Sequence, residues 1–545
     1  MGTTSLAAAQ GAPAQRRQPG EAVRYLDRKE GAHEYRVRDL PARPHVFLVC
    51  LDMVSPDHYL PSRGLMERME MPALRALMAD GTNFSNAFCT ISICAPSRAS
   101  LYTGRQPYVL ANPRGGQLGM ETSLRANDVI FPEYLKAAGY QTKHAGKNHT
   151  GARKFMDAFG EIDSNWDRAM PAMEQDEGYI SYLRGLGVKL PRYSREIRTV
   201  HPDRKSDNQG YGGWIVQSGG KPFPLEGQYS HYLFRWGMRK LDDALENRRM
   251  PVYLQINIYD PHKPFTIPAG FERREAELRK AVSLPASYRE WAARGCKPGS
   301  GDPLWLEVFR RHWGFYRPQD MIDYMVANAL AMEVIDRGLG DFVKALKERG
   351  VYDDSLIILT ADHGEMNGHL GIMDKGCYIH PDTQRVPFVV KPPARMGSRG
   401  RTVETPVSLL DVASTVLDIA GIEPGARQDG ISLLPCLRGE TLPNRELLFQ
   451  TGWQITANPA CGSIRWEPGG QNLMFVYNSG SNSDELYDLN DPDPQNLAGK
   501  PGNEPARMEM ARRMAPLLRQ DPRFGCFSLG FHMAHFGEVG PLPRR

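Results

Sequence analysis

The sequence predicts an α/β fold, with a mostly parallel central sheet flanked by helices and a smaller C-terminal α+β subdomain. Nearly continuous apolar runs, typical of buried parallel strands, occur at residues 45–51, 252–258, 355–360 and 386–390. Helical patterns lie between these runs, and this alternation is typical of layered α/β proteins.

One helix can be placed closely. Apolar residues recur at helical spacing from Val334 to Leu346, and Gly350 supplies a C-terminal stop just before the strand that begins at residue 355. A second helical stretch is predicted near residues 505–518.

Changes in composition along the chain predict four segments. Residues 1–44 have no sustained apolar period, so we expect a flexible N-terminal extension there. Residues 45–424 form the predicted catalytic domain. Shorter segments rich in Gly, Pro, Asn and Asp predict an α+β subdomain over residues 425–520. Residues 521–545 are expected to form a C-terminal tail.

The composition is that of an ordinary folded protein. The 545-residue chain has 41% hydrophobic residues, and its 67 Lys and Arg against 63 Asp and Glu give a formal net charge of +4. So balanced a charge creates no field that would recruit nucleic acid or an anionic membrane, and no apolar run reaches the roughly 18 residues of a spanning helix. The sequence therefore predicts neither a nucleic-acid nor a membrane partner.

The cysteines and the first residues predict a cytoplasmic location. Residues 1–20 lack the basic start and the continuous apolar stretch of about 7–15 residues that a signal peptide has. The eight cysteines are scattered without Cys-x-x-Cys spacing, which favours neither a zinc knuckle nor a disulfide framework. A reducing compartment fits this pattern best.

Acidic and histidine side chains follow three of the predicted strands. They are Asp52, then Asp260 with His262, then Asp362 with His363. Ligands bind beyond the carboxyl ends of strands in open α/β sheets, so these residues are expected to meet at one sheet edge. A lone Asp at a strand end more often caps a helix or forms a turn, so the three together carry the prediction.

The most specific segment is CAPSRASLYTGR at residues 94–105. It resembles the signature of the formylglycine-dependent (type I) sulfatases, in which the Cys of Cys-x-Pro-x-Arg is oxidised to an aldehyde. A cysteine seen alone is more often a packing residue, but here Pro96, Arg98, Thr103 and Gly104 match as well. Pro96 favours a helix start that puts Cys94 at its N-terminus, where free N–H groups favour an anion.

The resemblance extends from about residue 46 to residue 497. Similar segments follow in the family's order: GKNHTG at 146–151, DPHKPF at 260–265, TADHGE at 360–365, Lys375, and ELYDL at 485–489 with Asn496 and Leu497. The resemblance implies the alkaline-phosphatase-like fold of a superfamily that also contains arylsulfatases and phosphonate monoester hydrolases.

The resemblance implies two cofactors. Cys94, as formylglycine (3-oxoalanine), would be hydrated to supply the nucleophile, and Asp52, Asp362 and His363 would join it in holding one divalent metal. Arg98 would hydrogen-bond to the hydrated aldehyde and polarise it.

Four further residues take substrate-binding and proton-transfer roles by the same resemblance. Lys147 and Lys375 would neutralise the non-bridging oxygens of the substrate. His262 would donate a proton to the leaving alcohol, and His149 would act as base on the second hydroxyl of the hydrate. Each of these residues alone would be interpreted as a surface charge or a structural histidine, and only their joint occurrence supports the roles.

One position departs from the family pattern. Many members have a second Asp directly after the first, where this chain has Met53, whose thioether hard cations disfavour. The remaining Asp, Asp, His and modified Cys are less suited to Ca²⁺ alone and more tolerant of Mn²⁺, so the predicted metal is Ca²⁺ or Mn²⁺. Relatives that cleave phosphonate monoesters and phosphodiesters also vary at this position.

The sequence therefore predicts a sulfatase that hydrolyses a sulfate ester to an alcohol and inorganic sulfate. One alternative is a phosphonate monoester or phosphodiester hydrolase that uses the same site. An alternative of another class is a non-catalytic anion-binding relative. The predicted partners are a small-molecule or saccharide sulfate ester and the formylglycine-generating enzyme, and a homo-oligomer is left open.

A basic segment between Arg184 and Lys205 carries seven Arg and Lys against Glu196 and Asp203. Such runs are usually solvated faces. This one lies in a long connection between two predicted site segments, where insertions often form a pocket rim. A rim of Arg would favour a substrate with a second anionic group.

Overall fold

The structure is a computed structural model of the chain. It describes residues 22–26, 33–40, 42–107, 124, 128–150, 153–161, 173–191, 212–214, 217–218, 221–247, 249–263, 265–397, 399–451, 459–520 and 525–537.

The strands of this part of the chain are β1 (Ala22–Leu26), β2 (His33–Val37), β3 (His45–Leu51), β4 (Thr82–Phe84), β5 (Ala87–Phe88), β6 (Gln141–Gly146), β7 (Gly212–Trp214), β8 (Gln217–Ser218), β9 (Lys221–Pro222), β10 (Val252–Asn257), β11 (Phe265–Ile267), β12 (Ser355–Ala361), β13 (Phe388–Lys391), β14 (Arg401–Val403), β15 (Val407–Ser408), β16 (Ile422–Pro424), β17 (Leu448–Thr451), β18 (Ala460–Arg465), β19 (Leu473–Asn478) and β20 (Ser483–Asp488).

The α-helices are α1 (Pro72–Asp80), α2 (Cys94–Thr103), α3 (Phe131–Ala137), α4 (Arg153–Phe159), α5 (Glu177–Gly185), α6 (Tyr229–Leu245), α7 (Glu272–Ala281), α8 (Ala286–Ala293), α9 (Leu304–Trp313), α10 (Pro318–Glu348), α11 (Pro381–Gln384), α12 (Leu410–Ile419), α13 (Leu434–Leu437), α14 (Glu504–Gln520) and α15 (Gly525–Phe536).

The central sheet has seven strands in the order β14-β4-β13-β12-β3-β10-β6. Strand β3 pairs in parallel with β12 and β10, and β10 pairs in parallel with β6. All residues of β10 and β12 are buried, as expected for strands covered by helices on both faces. The predicted α/β fold with a mostly parallel, helix-flanked sheet is therefore confirmed.

The fourth predicted strand differs from the others in direction. Strand β13 runs antiparallel to both β12 and β4. A continuous apolar run indicates burial on both faces but does not report direction, so the sequence does not reveal this reversal.

Helix α10 is much longer than its predicted part. It begins at Pro318 and ends just before Gly350, which takes the left-handed conformation (φ 68°) expected of a C-terminal stop. Two buried acids, Glu333 and Asp336, lie near its middle. Among these, Asp336 accepts the backbone N–H groups of Ala73 and Leu74 at 3.0 and 2.7 Å.

Part of the segment predicted as an N-terminal extension is folded. Strand β1 pairs with β2, and β2 pairs with β16, in both cases antiparallel. Tyr35 and Val37 of β2 are buried. Two alternating apolar residues are too weak a signal to predict β2 from the sequence, and its partner β16 lies almost 400 residues away.

The C-terminal region is an antiparallel sheet of order β17-β18-β19-β20 packed against helices. Leu473 and Phe475 form a core with Met514 of α14 and Phe531 of α15. Helix α14 covers the helical stretch predicted near residues 505–518. Helix α15 lies in the segment predicted as a tail, which is therefore partly helical. The domain division at residue 425 stays a prediction.

None of the described helices has both the length and the apolar composition needed to cross a membrane.

Candidate active site

Parallel strands bring the predicted segments to one edge of the central sheet. Asp52 directly follows β3, Lys147 follows β6, and Asp362 with His363 follows β12. His262 lies shortly beyond the end of β10. These residues therefore lie beyond the carboxyl ends of neighbouring strands, where open α/β sheets bind ligands.

Cys94 is the first residue of α2 and is 4% exposed. Its Sγ lies 3.1 Å from Nε2 of His363 and 3.8 Å from Oδ1 of Asp52. The same His363 nitrogen lies 3.7 Å from Asp52 and 3.6 Å from Asp362. One ligand atom from each of these four residues lies within 4.8 Å of the other three.

Two buried cations neutralise the carboxylates of this cluster. The Nε–H of Arg98 donates to Oδ2 of Asp362 at 2.8 Å, and its Nη2 lies 3.4 Å from Oδ2 of Asp52. Nζ of Lys147 also donates to Oδ2 of Asp52. Arg98 donates further to the backbone carbonyl of Lys147 at 3.2 Å, so the two cations are held together. Bonds to both carboxylates make Arg98 an organiser of the acidic cluster.

The balance of charges favours the ionised form of Cys94. Burial and the negative charge of Asp52 oppose ionisation of the thiol. Lys147, Lys375 and His363 outweigh them and hold the pKa of Cys94 well below its usual range. The same cations would favour any negatively charged group that stands where this sulfur lies.

His363 directs its Nε2 toward the cluster. Its Nδ1 lies 3.0 Å from the carbonyl oxygen of Gly364, so Nδ1 carries the donated proton and Nε2 faces Cys94 and the carboxylates. This backbone contact sets the tautomer, as it does for many metal-ligating histidines. Burial opposes a second proton on the ring, but Asp362 and Cys94 outweigh burial and raise the pKa of His363 to about 9.

The four residues fit a divalent cation. Two carboxylates, one imidazole nitrogen and the oxygen of a modified Cys94 form a mixed donor set that Ca²⁺ and Mn²⁺ accept. Their spacing suits ligand atoms that share one ion. The carboxylates that stabilise a proton on His363 would equally stabilise a cation in its place. Cys94 fits the modified residue, because it lies at a helix N-terminus against three of these groups.

Met53 touches the cluster through its backbone. It is fully buried and adopts a left-handed conformation (φ 61°), and its N–H donates to Oδ1 of Asp362 at 3.2 Å. A left-handed backbone is uncommon for residues other than Gly, Asn and Asp. Met53 thus orients one carboxylate of the cluster.

His262 and Lys375 are in direct contact. Nδ1 of His262 lies 2.6 Å from the carbonyl oxygen of Lys263 and therefore carries the proton, so Nε2 accepts from Nζ of Lys375 at 3.0 Å. Burial first, and then the charge of Lys375, lower the pKa of His262 to about 3. Despite its burial, Lys375 has a raised pKa because of Asp374 and Cys94.

His149 lies beside this network, two residues from Lys147. It has a left-handed backbone (φ 55°), and its buried Nδ1 has no hydrogen-bond partner. In the described part of the chain, no hydrogen bond joins His149 to Cys94.

Asp374 and Lys263 are charged groups that the sequence interpretation did not assign. Nζ of Lys263 and Nζ of Lys375 both bind the carboxylate of Asp374. Each of these residues directly adjoins a predicted site residue in the sequence, and this adjacency is the signal that could have drawn attention to them. The predicted basic rim falls mostly on residues 192–205, which lie outside the described residues.

A model of the sulfatase family matches residues 44–422 of this chain, and a model described as N-sulphoglucosamine sulphohydrolase, C-terminal, matches residues 368–520. An uncharacterized sulfatase, YidJ, of Escherichia coli strain K12 is 26% identical over 363 residues, which are 64% of this chain and 62% of YidJ. The multifunctional alkaline phosphatase superfamily protein PehA of Trinickia caryophylli is 28% identical over 422 residues, which are 72% of this chain and 77% of PehA.

Among solved structures, the phosphonate monoester hydrolase SpPMH from Silicibacter pomeroyi superposes with a TM-score of 0.65. The match covers 88% of this chain and 96% of that protein, at 19% identity. At this identity, the likeness shows a shared fold.

Proposed function

The chain belongs to the sulfatase family, and we propose that it hydrolyses a sulfate ester by means of a formylglycine at Cys94 and one divalent cation. Hydrolysis of sulfuric esters is the activity that this membership assigns. The observation that carries the finer proposal is the position of Cys94. It begins α2 with Sγ at 3.1 Å from His363 and 3.8 Å from Asp52, inside a set of four metal-ligating groups.

Asp52, Asp362, His363 and the modified Cys94 would hold the cation, which we propose to be Ca²⁺ or Mn²⁺. When bound, the cation would supply a Lewis acid and formylglycine would supply, as its hydrate, the hydroxyl nucleophile. Arg98 holds one oxygen of each Asp, and that contact orients the carboxylates. Since Arg98, Asp52 and Asp362 are all completely buried, water does not compete for these bonds.

Lys147 and Lys375 are proposed to bind the non-bridging oxygens of the substrate. Both ammonium groups lower the pKa of Cys94, so both act electrostatically at the position where the reacting group would lie. Negative charge on these oxygens is largest in the transition state. Prearranged cations in a site that excludes water stabilise that charge without reorganisation.

His262 is proposed to protonate the leaving alcohol. Its Nδ1–H is held by the carbonyl of Lys263, so a proton for the alcohol would be carried on Nε2. Nζ of Lys375 donates to this nitrogen at 3.0 Å, which places Nε2 beside the ammonium group that is proposed to bind the substrate oxygens. His149 is proposed to act as the base that removes a proton from the second hydroxyl, with its partner-free Nδ1 as the acceptor.

We propose a saccharide sulfate as the substrate class, since the C-terminal part matches the model named for N-sulphoglucosamine sulphohydrolase. Formation of formylglycine would require the formylglycine-generating enzyme as a partner. A reducing compartment such as the cytoplasm is supported by the seven cysteines whose side chains the structure describes, none of which forms a disulfide bond. A homo-oligomer stays a prediction.

A second candidate is hydrolysis of phosphonate monoesters or phosphodiesters at the same site. It is favoured by Met53, which stands where many sulfatases have a second metal-binding Asp. The metal would therefore be bound by one negatively charged ligand fewer.

A side-by-side assay separates these two activities. The purified, metal-loaded protein is given nitrophenyl sulfate, a nitrophenyl ester of phenylphosphonate, and bis-nitrophenyl phosphate. The proposal expects the highest kcat/KM for the sulfate. A higher kcat/KM for either phosphorus ester would favour the second candidate, and absence of turnover on all three would favour the non-catalytic alternative.

A further inference from the structure

Asp374 directly precedes the proposed substrate-binding Lys375 and is 3% exposed. Its backbone is left-handed (φ 72°), a conformation that Gly adopts most readily and that Asn and Asp adopt more often than other residues. Gly would fit this backbone better, so the contacts of the buried carboxylate are the property that Asp adds at this position.

The carboxylate of Asp374 holds two ammonium groups. Its Oδ1 lies 3.0 Å from Nζ of Lys375 and also accepts the Lys375 backbone N–H at 2.7 Å. Its Oδ2 accepts from Nζ of Lys263. Nζ of Lys263 lies 3.4 Å from the centre of the Trp313 ring, so Lys263 is held on two sides. One negative charge thus keeps two neighbouring positive charges in defined positions.

The backbone of Asp374 is tied to the loop that carries the metal-ligating residues. Its N–H donates to Oε1 of Glu365 at 2.7 Å, and its carbonyl accepts from the N–H of Met366 at 3.1 Å. Oε1 of Glu365 also accepts from the Tyr324 hydroxyl at 3.0 Å. These bonds set the position of Lys375 relative to Asp362 and His363, which lie on the same loop as Glu365.

Resting on the proposed function, we infer that Asp374 is a positioning residue. It holds the Lys375 ammonium where that group contacts Nε2 of His262 and can meet the sulfate oxygens. Lysine has a long, flexible side chain, and without the carboxylate Lys375 would be repelled by Lys263. Asp374 therefore acts through Lys375 rather than on the substrate itself.

The principal variants are Asp374→Asn and Asp374→Gly. Asn has the same shape and tolerates a left-handed backbone, and Gly tolerates it still better, so at least one of the two should fold. We expect kcat/KM for nitrophenyl sulfate to fall about 10- to 100-fold, somewhat less than removal of a whole transition-state donor. The fall should be larger for phenyl sulfates with poorer leaving groups, because Lys375 contacts His262.

A double-mutant cycle separates positioning from a structural role. In a Lys375→Met background, Asp374→Asn should change kcat/KM by less than about threefold, because the residue through which it acts is gone. Asp411→Asn is a matched control, since Asp411 is a buried carboxylate that binds Arg445 elsewhere in the protein. In Asp411→Asn, the dependence of kcat/KM on the leaving group should be the same as in wild type.

Binding of inorganic sulfate, measured by calorimetry, gives a readout that needs no turnover. Asp374→Asn should raise the dissociation constant about three- to tenfold relative to wild type. The inference is overturned if both variants keep wild-type sulfate binding and kcat/KM, or if the losses from Asp374→Asn and Lys375→Met are simply additive. A wild-type protein that binds sulfate but does not hydrolyse nitrophenyl sulfate would count against the proposed function, and the binding comparison would still decide the role of Asp374.

Discussion

Nε2 of His262 accepts a hydrogen bond from Nζ of Lys375 at 3.0 Å, while Nδ1 of the same ring donates to the carbonyl of Lys263 at 2.6 Å. Both nitrogens of a neutral imidazole are therefore engaged. The pKa of His262 is lowered to about 3, by burial first and then by Lys375, so the free protein holds this ring neutral near pH 7. A proton on Nε2 for the leaving group must then be acquired within the complex with substrate.

Replacing His262 by Gln should affect poor leaving groups most. An alkyl sulfate, whose alkoxide needs protonation, should lose about 10²- to 10⁴-fold in kcat/KM, the usual range for a general acid. Nitrophenyl sulfate should lose less than about tenfold, because nitrophenolate leaves without a proton. The measurement is the slope of log kcat/KM against leaving-group pKa in both proteins. Equal losses across the series would contradict proton donation by His262.

The pH dependence should follow the His262–Lys375 contact. With the pKa of His262 lowered to about 3, kcat/KM should show no protonation of this ring between pH 5 and 6.5, where a free histidine side chain titrates. Lys375→Met removes a like charge and so raises the pKa of His262 toward 6.5. The pH profile of kcat/KM should then show an inflection from protonation of His262 within the measurable range. Profiles of kcat/KM from pH 4 to 8 test this prediction. The same pH profile in wild type and Lys375→Met would show that Lys375 does not set the pKa of His262.

Met53→Asp should shift metal preference toward Ca²⁺. The change adds a hard oxygen and a negative charge, and Asp tolerates the left-handed backbone at this position (φ 61°) better than Met does. Calorimetric titration of chelator-treated protein should show Ca²⁺ binding strengthened by about tenfold or more relative to Mn²⁺. Met53→Asn, without the charge, is the matched control. An unchanged ratio of the two affinities would mean that the side chain points away from the site.

His369 should stabilise the fold in a pH-dependent way. Its Nδ1 lies 2.7 Å from Asp493 and its Nε2 lies 3.4 Å from Asp57. Burial opposes the proton, but Asp382 and Asp57 outweigh burial and raise the pKa of His369 to about 10, against 6.5 for the free side chain. Because the pKa is higher in the folded state, the stabilisation is complete below pH 6.5 and is lost as the pH rises toward 10.

The test is urea denaturation of wild type and His369→Gln at pH 6, 8 and 10. Removing the cation leaves buried carboxylates uncompensated, so the variant should be less stable by about 3 kcal/mol at pH 6, and this difference should shrink by pH 10. His58 is the matched control. It is also fully buried, but its pKa is lowered to about 4 by burial, so His58→Gln should show no such trend. A difference for His369→Gln that is constant with pH would contradict an ionised His369.

Much of this architecture follows from local sequence signals, and the exceptions have physical causes. Strands β3, β10 and β12 are predominantly apolar because helices cover both faces, and Asp52 and Asp362 follow directly where two of them end. By contrast, β2 pairs with β16 as well as with β1, and nothing local in β2 or β16 indicates a pairing across almost 400 residues.

In the candidate site, too, some features could be predicted from local sequence signals and others could not. Cys94 and Arg98 belong to a motif whose spacing is visible in the sequence, so their proximity to Asp52 could be anticipated. The bond between Lys263 and Asp374 joins residues 111 positions apart on two different loops. It depends on how those loops pack, and no sequence period encodes that.

Cys94→Ala should abolish turnover without unfolding the protein. The substitution removes only one sulfur atom and leaves α2 intact, but Cys94 is the residue from which the nucleophile would form. We expect kcat/KM for nitrophenyl sulfate to fall by about 10⁴-fold or more, as for other nucleophile deletions. Thermal unfolding of the variant serves as the folding control. Near wild-type turnover in the variant would contradict the proposed nucleophile.

The most direct test is the mass of the tryptic peptide that contains Cys94, taken from protein that turns over nitrophenyl sulfate. The protein is made in a host with the formylglycine-generating enzyme, so that modification is available. The account predicts that the active fraction carries formylglycine, with turnover proportional to the modified fraction across preparations. Full turnover from protein in which Cys94 is an unmodified thiol would contradict it.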